Sequence, residues 1–287
     1  MTIGTELWAH TSTDMISYLS MGKKVVILIV FILIGVTAYF YFTSNQQLPI
    51  NKNGISKQIF NDRIDHSPKE WGLTVTGVKT RLNTNKRVIA LTFDACGGKH
   101  GSGYDHQLIN FLIQNKIPVT LFISGQWIDK NRKTFTSLAS NPLFEIENHG
   151  LNHLPCSVNG NSAYGIKGTN NAKEVIDEIR LNGQKIKDLT GRQPLFFRSG
   201  TAHYDEIAVK LANKLGYQVV NFNINGDLGA TASKSQIVNA LLKAAPGSIV
   251  IMHMNQPEGQ TAAGLKAIVP LLRKKGFTFV KLFQHLN

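Results

Sequence analysis

Strand-like and helix-like segments alternate along the chain from residue 87 to residue 282, and this alternation constrains the fold more than any other feature. It predicts a parallel sheet with crossover helices, either doubly wound or closed as a barrel, because parallel neighbours need a long connection. About seven such units favour a barrel that is one strand short or distorted. The predicted strands are 87–93, 118–123, 144–148, 195–198, 218–223, 248–252 and 277–282, and the predicted helices are 105–115, 129–140, 171–189, 204–215, 233–244 and 262–275.

The first predicted strand ends in an acid. The residues from Val88 to Phe93 are almost all apolar, which is typical of a strand buried on both faces, and Asp94 follows directly. Asp94 either caps a turn or belongs to an active site, since barrels of this kind build their active sites at the carboxyl ends of their strands. Polar residues follow other predicted strands in the same way, namely His149, Arg198, Asn225, Asp227 and His253. We therefore expect these side chains to share one rim of the sheet.

Two histidines, His149 and His153, lie four residues apart after the third predicted strand. The spacing is that of a helical metalloprotease motif, but Gly150 occupies the place of its glutamate and Pro155 follows closely, so a loop or one short turn is expected. With an Asp from a neighbouring strand, two imidazoles can supply three ligands to zinc and leave a position open for water. Unligated surface histidines are the alternative.

An uncharged apolar segment precedes the alternating region. Residues 25–42 contain no charge over eighteen positions, and about that length crosses the core of a bilayer. Lys23 and Lys24 come just before it, which favours a cytoplasmic N-terminus at 1–24 and a single membrane pass with an exported remainder, periplasmic or at the cell surface. A cleaved signal peptide followed by secretion is the main alternative, and a buried soluble helix is another. The polar stretch 43–85 is interpreted as a linker.

Basic residues exceed acidic ones. The chain has 31 Lys and Arg against 18 Asp and Glu, which gives a formal net charge of +13. Such a charge favours an anionic partner, whether nucleic acid, an anionic membrane or a cell-wall polymer. We expect no nucleic-acid partner, because the basic residues are scattered and no helix-turn-helix, zinc-finger or RNA-binding signature accompanies them.

Four short motifs follow one another along the predicted sheet: Thr92-Phe93-Asp94, His149 with His153, Phe197-Arg198, and Ile251-Met252-His253. In this order they resemble the motifs of the polysaccharide deacetylases, the family-four carbohydrate esterases that carry the NodB homology domain. The resemblance covers roughly residues 86–282. It implies a distorted (β/α)7 barrel and a catalytic domain over 86–287.

The resemblance also implies a role for each matched residue. Asp94 would be the catalytic base, Arg198 would orient it, and His253 would be the general acid. His149 and His153 would bind a divalent metal ion, with zinc expected. The implied reaction is the removal of N-acetyl groups from amino-sugar polymers, such as peptidoglycan, chitin-like polymers or exopolysaccharide, outside the cytoplasm.

Three positions depart from the family's usual motifs. Ala95 stands where a second, metal-binding Asp is usual, and Ser199-Gly200-Thr201 replaces Pro-Pro-Tyr after the arginine. Asn225-Gly226-Asp227-Leu228 matches the fourth motif only in part, with Asp227 as a further site candidate. A glycan-binding protein that kept the barrel and lost catalysis is therefore the second hypothesis. Another hydrolase, such as an amidase or a metallopeptidase, is the third.

The missing second Asp leaves the third metal ligand open. Asp94, Asp105 and water are candidates, although Asp105 precedes an amphipathic helix and could instead be its N-cap. A Cys96 thiolate would also bind zinc well. Cys96 follows Asp94 by two residues, and Cys156 follows His153 by three. A fold that brings the metal motif to Asp94 therefore brings the cysteines together, and a disulfide is favoured over ligation in an exported protein.

Overall fold

The computed structural model describes residues 67–286 of the 287-residue chain. The predicted cytoplasmic segment 1–24 and the predicted anchor 25–42 lie outside the described residues. Among the residues that are described, no helix has the length and apolar character of a membrane span. They belong to one compact unit, Ile64–Asn287.

A curled parallel sheet forms the centre of the described domain, as the alternation predicts. Its strands are β1 (Val88–Ala95), β2 (Val119–Ile123), β3 (Phe144–Asn148), β4 (Phe196–Phe197), β5 (Gln218–Val219), β6 (Ile224–Asn225), β7 (Ser248–His253) and β8 (Thr278–Phe279). Their order across the sheet is β6-β7-β1-β2-β3-β4-β5, and β8 pairs with the first residues of β1. These pairings are parallel, so the carboxyl ends of the strands lie along one edge.

The two edge strands, β5 and β6, are not paired with each other in the described part of the chain. Instead, Lys79 pairs in parallel with Val220, and Arg81 pairs antiparallel with Ser248. The sequence predicts one strand over 218–223, but β5 and β6 have two residues each, too few for the continuous pairing of a closed barrel. The α/β class and the parallel sheet are confirmed, in the form of a curled sheet.

Helices connect the strands and cover the sheet. They are α1 (His106–Gln114), α2 (Gly125–Lys130), α3 (Arg132–Ser140), α4 (Ala172–Thr190), α5 (Glu206–Lys214), α6 (Lys234–Leu241), α7 (Thr261–Lys274) and α8 (Phe283–Leu286). The sequence does not predict α2 as a separate helix, because six residues are too few to show a helical period. Ser124 is its N-cap, and the Ser124 hydroxyl accepts from the Trp127 amide at 3.2 Å.

Part of the predicted linker belongs to the folded unit. Trp71–Gly72 pairs antiparallel with Tyr204–Asp205. The backbone amides of Lys69 and Glu70 donate to the Glu206 carboxylate, each at 2.9 Å. The folded unit therefore begins before the predicted boundary at residue 86.

The strand β1 is buried along its whole length. Its odd-numbered residues share an apolar cluster with α1 and α7, which we call the helix-side cluster: Ile89, Leu91, Phe93 and Ala95. Val88 and Ala90 belong to a second cluster. Because side chains of a strand alternate between its two faces, Thr92 and Asp94 continue the face of Val88 and Ala90. The strand thus presents Asp94 away from the helix-side cluster.

Candidate active site

Asp94 and Arg198 form a buried ion pair at the carboxyl edge of the sheet. Asp94 is 2% exposed, and Arg198, which directly follows β4, is 0% exposed. Arg198 Nη1 donates to Asp94 Oδ1 at 2.7 Å and to Thr92 Oγ1 at 2.9 Å. Burial acts to raise the pKa of Asp94, but Arg198 and two nearby histidines outweigh it and hold that pKa below its usual value. The carboxylate is therefore ionised and fixed in position, as a general base must be.

Backbone carbonyls and an aromatic ring hold the rest of the Arg198 guanidinium. Nε donates to the Val220 carbonyl and Nη2 to the Asn221 carbonyl, both at 3.1 Å. Arg198 Cζ lies 4.1 Å from the centre of the Phe122 ring, a distance that allows a cation–π contact. These contacts restrict movement of the guanidinium away from Asp94.

His149 follows β3 and is held by a hydrogen bond from its ring. Its Nδ1–H donates to the Arg198 carbonyl at 2.9 Å, which leaves Nε2 as the ring nitrogen that faces the site. Nε2 lies 3.5 Å from Asp94 Oδ2 and 4.0 Å from Cys96 Sγ. A ring N–H bonded to a backbone carbonyl is the usual arrangement of a metal-binding histidine.

His153 lies in a loop, as the sequence predicts, and its ring meets the His149 ring edge-on with centroids 4.8 Å apart. Glu178 of α4 holds this loop in place. Its Oε1 accepts from the backbone amides of Asn152 at 2.9 Å and Leu154 at 3.1 Å. The helix α4 therefore sets the path of the chain between the two histidines.

Two glycines allow neighbouring segments to approach the histidine loop. Gly150 has a φ of 79°, and a Cβ there would lie 2.4 Å from Glu178 Oε1. A Cβ on Gly200 would lie 2.1 Å from the His153 carbonyl carbon. His153 and Thr201 also have left-handed backbones, with φ of 59° and 68°. Such backbone strain concentrates at functional sites.

Cys96 forms a group of potential ligands with the two histidines. One donor atom from each of Cys96, His149 and His153 lies within 4.8 Å of the others. Burial acts to raise the pKa of the Cys96 thiol, but the imidazoles, His153 first among them, outweigh it and hold that pKa well below its usual value. Two imidazoles and a thiolate are a ligand set that suits a divalent cation such as Zn²⁺.

Asp105, which the sequence offers as a tentative third ligand, is not among the described residues whose donor atoms group with the two histidines. It is the N-cap of α1, and its Oδ1 accepts from the Leu108 amide at 2.9 Å. Its carboxylate is therefore engaged with the helix, and the thiol of Cys96 lies beside the two histidines in its place.

The predicted disulfide is absent, because Cys96 and Cys156 are both free thiols. Cys156 is buried, and its backbone pairs with that of Tyr204. The Cys96 sulfur instead faces the imidazoles. The spacing argument expects Asp94 and His153 to lie close together, and His153 packs against His149, whose Nε2 is 3.5 Å from Asp94 Oδ2. The argument does not fix the direction of the cysteine side chains.

His253 and Asp227 form a second charged pair. His253 ends β7 and lies beside Asp94 in the strand register. Its Nδ1–H donates to Asp227 Oδ1 at 2.9 Å, and its backbone amide donates to Oδ2 at 2.7 Å. Burial acts to lower the pKa of His253, but Asp227 outweighs it and holds that pKa well above its usual value. Because the Nδ1–H of His253 is hydrogen-bonded to Asp227, Nε2 is the ring nitrogen from which the imidazolium can donate a proton.

The sequence analysis assigns no role to three supporting residues. Thr92 stands in the first motif, and its role beside Asp94 could have been found, since the two residues share a strand face. Thr261 donates to Asp227 Oδ2 at 3.0 Å, and Glu178 holds the histidine loop, but both act between distant segments and carry no local signal. Asn225, which is predicted for the rim, ends β6, and its side chain accepts from the Leu228 amide at 2.9 Å in a turn.

Comparison with known proteins places this site in a family. The family model for polysaccharide deacetylase matches residues 81–220. A peptidoglycan-N-acetylglucosamine deacetylase from Bacillus cereus is 30% identical over 220 residues, which are 75% of this chain and 96% of the relative. The matched residues include the segments that carry Asp94, the histidine loop and Arg198.

Solved structures show the same fold. A family 4 carbohydrate esterase from Bacillus subtilis has a TM-score of 0.62 and 21% identity, covering 78% of this chain and 98% of that one. A CE4 family pseudoenzyme from Bacillus anthracis has a TM-score of 0.60 and 19% identity, covering 72% and 68%. The 30% identity to the Bacillus cereus relative over 75% of this chain shows that the chain belongs to the polysaccharide deacetylase family, and its deacetylase relatives support an amide-hydrolysing enzyme.

Proposed function

We propose that this protein is a metal-dependent deacetylase that removes N-acetyl groups from amino-sugar polymers outside the cytoplasm. One observation carries the proposal: the Asp94 carboxylate, the two imidazoles of the histidine loop and the His253 imidazole meet at one edge of the sheet. Asp94 Oδ2 is 3.5 Å from His149 Nε2, and Asp94 is beside His253 in the strand register. The Bacillus cereus relative is a peptidoglycan-N-acetylglucosamine deacetylase, which supports an amino-sugar polymer as the substrate.

The residues at the site fit a divalent metal ion, and we expect zinc. His149 and His153 would hold it, because His149 presents Nε2 while its Nδ1–H is bonded to the Arg198 carbonyl. Neutral imidazole is a ligand that suits zinc. When bound, the ion would polarise the acetamide carbonyl.

The side chains of the site would carry the protons. Asp94 would take a proton from the attacking water as the water oxygen bonds to the acetyl carbon. Arg198 would keep that carboxylate ionised and aimed. His253, held in its protonated form by Asp227, would donate a proton to the nitrogen as the C–N bond breaks. The products are acetate and a free amine on the sugar.

We propose further that the apolar segment 25–42 anchors the protein in a membrane, with the domain on the outer side. The absence of charge over eighteen residues and the position of Lys23 and Lys24 support this topology. The net charge of +13 would favour contact between the domain and an anionic wall or capsule.

Protease treatment tests this topology. Protease added to intact cells that express the full chain should remove the domain, because the linker would lie outside the membrane. The measurement is the loss of full-length protein on a blot that detects the C-terminus. Permeabilised cells are the control. Full protection in intact cells, with cleavage after permeabilisation, would contradict an exported domain.

A glycan-binding protein without catalysis is the second candidate. Ala95 stands where the family's second Asp is usual, and one structural neighbour is a pseudoenzyme. The Asp94–Arg198 and His253–Asp227 pairs favour an enzyme. A binding site has no need of an ionised base beside a protonated acid.

Acetate release separates the two candidates. Full-length protein loaded with zinc should release acetate from N-acetylglucosamine oligomers or from peptidoglycan strands. His149→Ala should lose the metal and lower the rate by about 100-fold or more, since it removes a ligand. His106→Ala, which removes an exposed imidazole on α1, is the matched control and should keep wild-type activity. A wild-type protein that binds the oligomers without releasing acetate would favour the binding protein.

A further inference from the structure

The residue that replaces the family's usual second Asp does not face the histidines. Ala95 is 0% exposed and belongs to the helix-side cluster with Phe93 and Trp127. A carboxylate on this side chain would enter an apolar cluster, which is strongly unfavourable for an unpaired charge. Ala95 is therefore part of the hydrophobic core.

The next residue faces the histidines and is held there. Cys96 Sγ lies 4.0 Å from His149 Nε2, within the group that includes His153. The Ser124 hydroxyl donates to the Cys96 carbonyl at 2.6 Å, and the Ser124 amide donates to the Ala95 carbonyl at 3.1 Å. The start of α2 thus fixes the backbone on which the thiol is carried.

We infer that Cys96 is the third protein ligand of the metal site, and that its sulfur makes the site prefer thiophilic divalent cations, Zn²⁺ and Co²⁺, over Mg²⁺ and Mn²⁺. The inference rests on the proposed function for the presence of a metal. A thiolate supplies the same single negative charge as a carboxylate, but sulfur ligands select zinc whereas oxygen ligands suit magnesium and manganese. Asp94 then stays free of the metal and can act as the base. Two imidazoles and one thiolate also leave a fourth position open, as catalytic zinc sites do.

Cobalt binding tests the ligand directly, without use of activity. Co²⁺ added to metal-free, full-length protein should give a thiolate-to-cobalt charge-transfer band in the near ultraviolet, with one cobalt per chain. Cys96→Asp should still bind one cobalt but should lose the band. Cys156→Ala removes the other cysteine of the chain and is the matched control, which should keep the band. In competition, the preference for Zn²⁺ over Mn²⁺ should fall by roughly tenfold in Cys96→Asp.

A second pair of variants tests position 95. Ala95→Asp should lower the melting temperature, because it places a carboxylate in the helix-side cluster, and should not raise cobalt affinity. Ala95→Asp combined with Cys96→Ala should bind cobalt at least tenfold more weakly than the wild type. Wild-type affinity in that double variant would overturn the inference and place the third ligand at position 95.

The outcomes separate this inference from the proposed function. Acetate release by a cobalt-loaded wild type that lacks the band would overturn the thiolate ligand and leave the function standing. A band without acetate release would support the ligand and contradict the function. A band that survives in Cys96→Asp, or that disappears in Cys156→Ala, would also overturn the inference. A wild type that binds no cobalt would overturn both.

Discussion

Asp94→Asn should lower kcat for deacetylation by about 10³-fold, because an amide cannot take the proton of the attacking water. The metal content should not change, since Asp94 is assigned as the base and not as a ligand. The amide oxygen can still accept the hydrogen bond that Arg198 Nη1 donates to Asp94 Oδ1. We therefore expect a folded protein with a specific loss of turnover, measured as acetate release at saturating substrate with metal content determined in parallel.

Asp129→Asn is the matched control for this substitution. Asp129 is an exposed residue of α2 whose carboxylate pairs with Lys185 at 2.7 Å. Exposed ion pairs contribute little to stability, and this one is not part of the site, so activity should equal that of the wild type. An Asp94→Asn protein that keeps a tenth or more of wild-type kcat would contradict the role of Asp94 as base.

Arg198→Met should lower the free energy of unfolding by about 3–5 kcal/mol. The substitution leaves the Asp94 carboxylate buried without its counter-charge, and it removes the donor to two backbone carbonyls. Methionine fills part of the volume, so the loss is mainly electrostatic. Urea unfolding of the full chain in detergent measures the effect.

A double-mutant cycle shows whether the loss comes from the ion pair. In the Arg198→Met background, Asp94→Asn should restore part of the lost free energy of unfolding, because it removes the buried carboxylate charge that has no partner. We expect a coupling energy between the two positions of about 1 kcal/mol or more. Arg180→Met is the control: Arg180 is an exposed residue of α4, and its loss should change stability by less than about 0.5 kcal/mol. Equal decreases in the free energy of unfolding of Arg198→Met and Arg180→Met would rule out a stabilising role for the buried ion pair.

The arrangement of the site follows largely from topology, which is why much of it could be predicted from the sequence. Parallel strands bring their carboxyl ends to one edge, so residues that follow different strands meet there. Asp94, His149, Arg198 and His253 come together in this way. For β1 the apolar run also locates the strand, observed at Val88–Ala95 against a prediction of 87–93.

Side-chain direction beyond the end of a strand could not be predicted in this way. Cys96 faces the imidazoles on a backbone that Ser124 holds, because Ser124 donates one hydrogen bond to the Ala95 carbonyl and one to the Cys96 carbonyl, twenty-eight residues away from Cys96. The spacing of residues along the sequence does not predict these hydrogen bonds. Asp105 carries a carboxylate of the kind that binds metal ions. This carboxylate instead accepts a hydrogen bond from the Leu108 backbone amide in the helix that follows it.

The edge strands of the sheet also depend on contacts between distant segments, which the sequence pattern does not predict. The stretch 218–223 is predicted as one strand, yet its residues divide between β5 and the approach to β6. The pairing of Lys79 with Val220 accompanies this division, and it depends on a segment more than a hundred residues away. Local hydrophobic pattern carries no information about such a contact.

The central claim is metal-dependent hydrolysis of an N-acetyl amide by the residues around Asp94. Its most direct test is the amount of acetate and of free amine that full-length protein forms from an N-acetylglucosamine oligomer, after removal of metal and again after reloading with zinc. We predict equal amounts of the two products from the reloaded protein and neither product from the metal-free protein. Turnover by the metal-free protein, or none by a zinc-loaded protein that binds the oligomer, would contradict the claim.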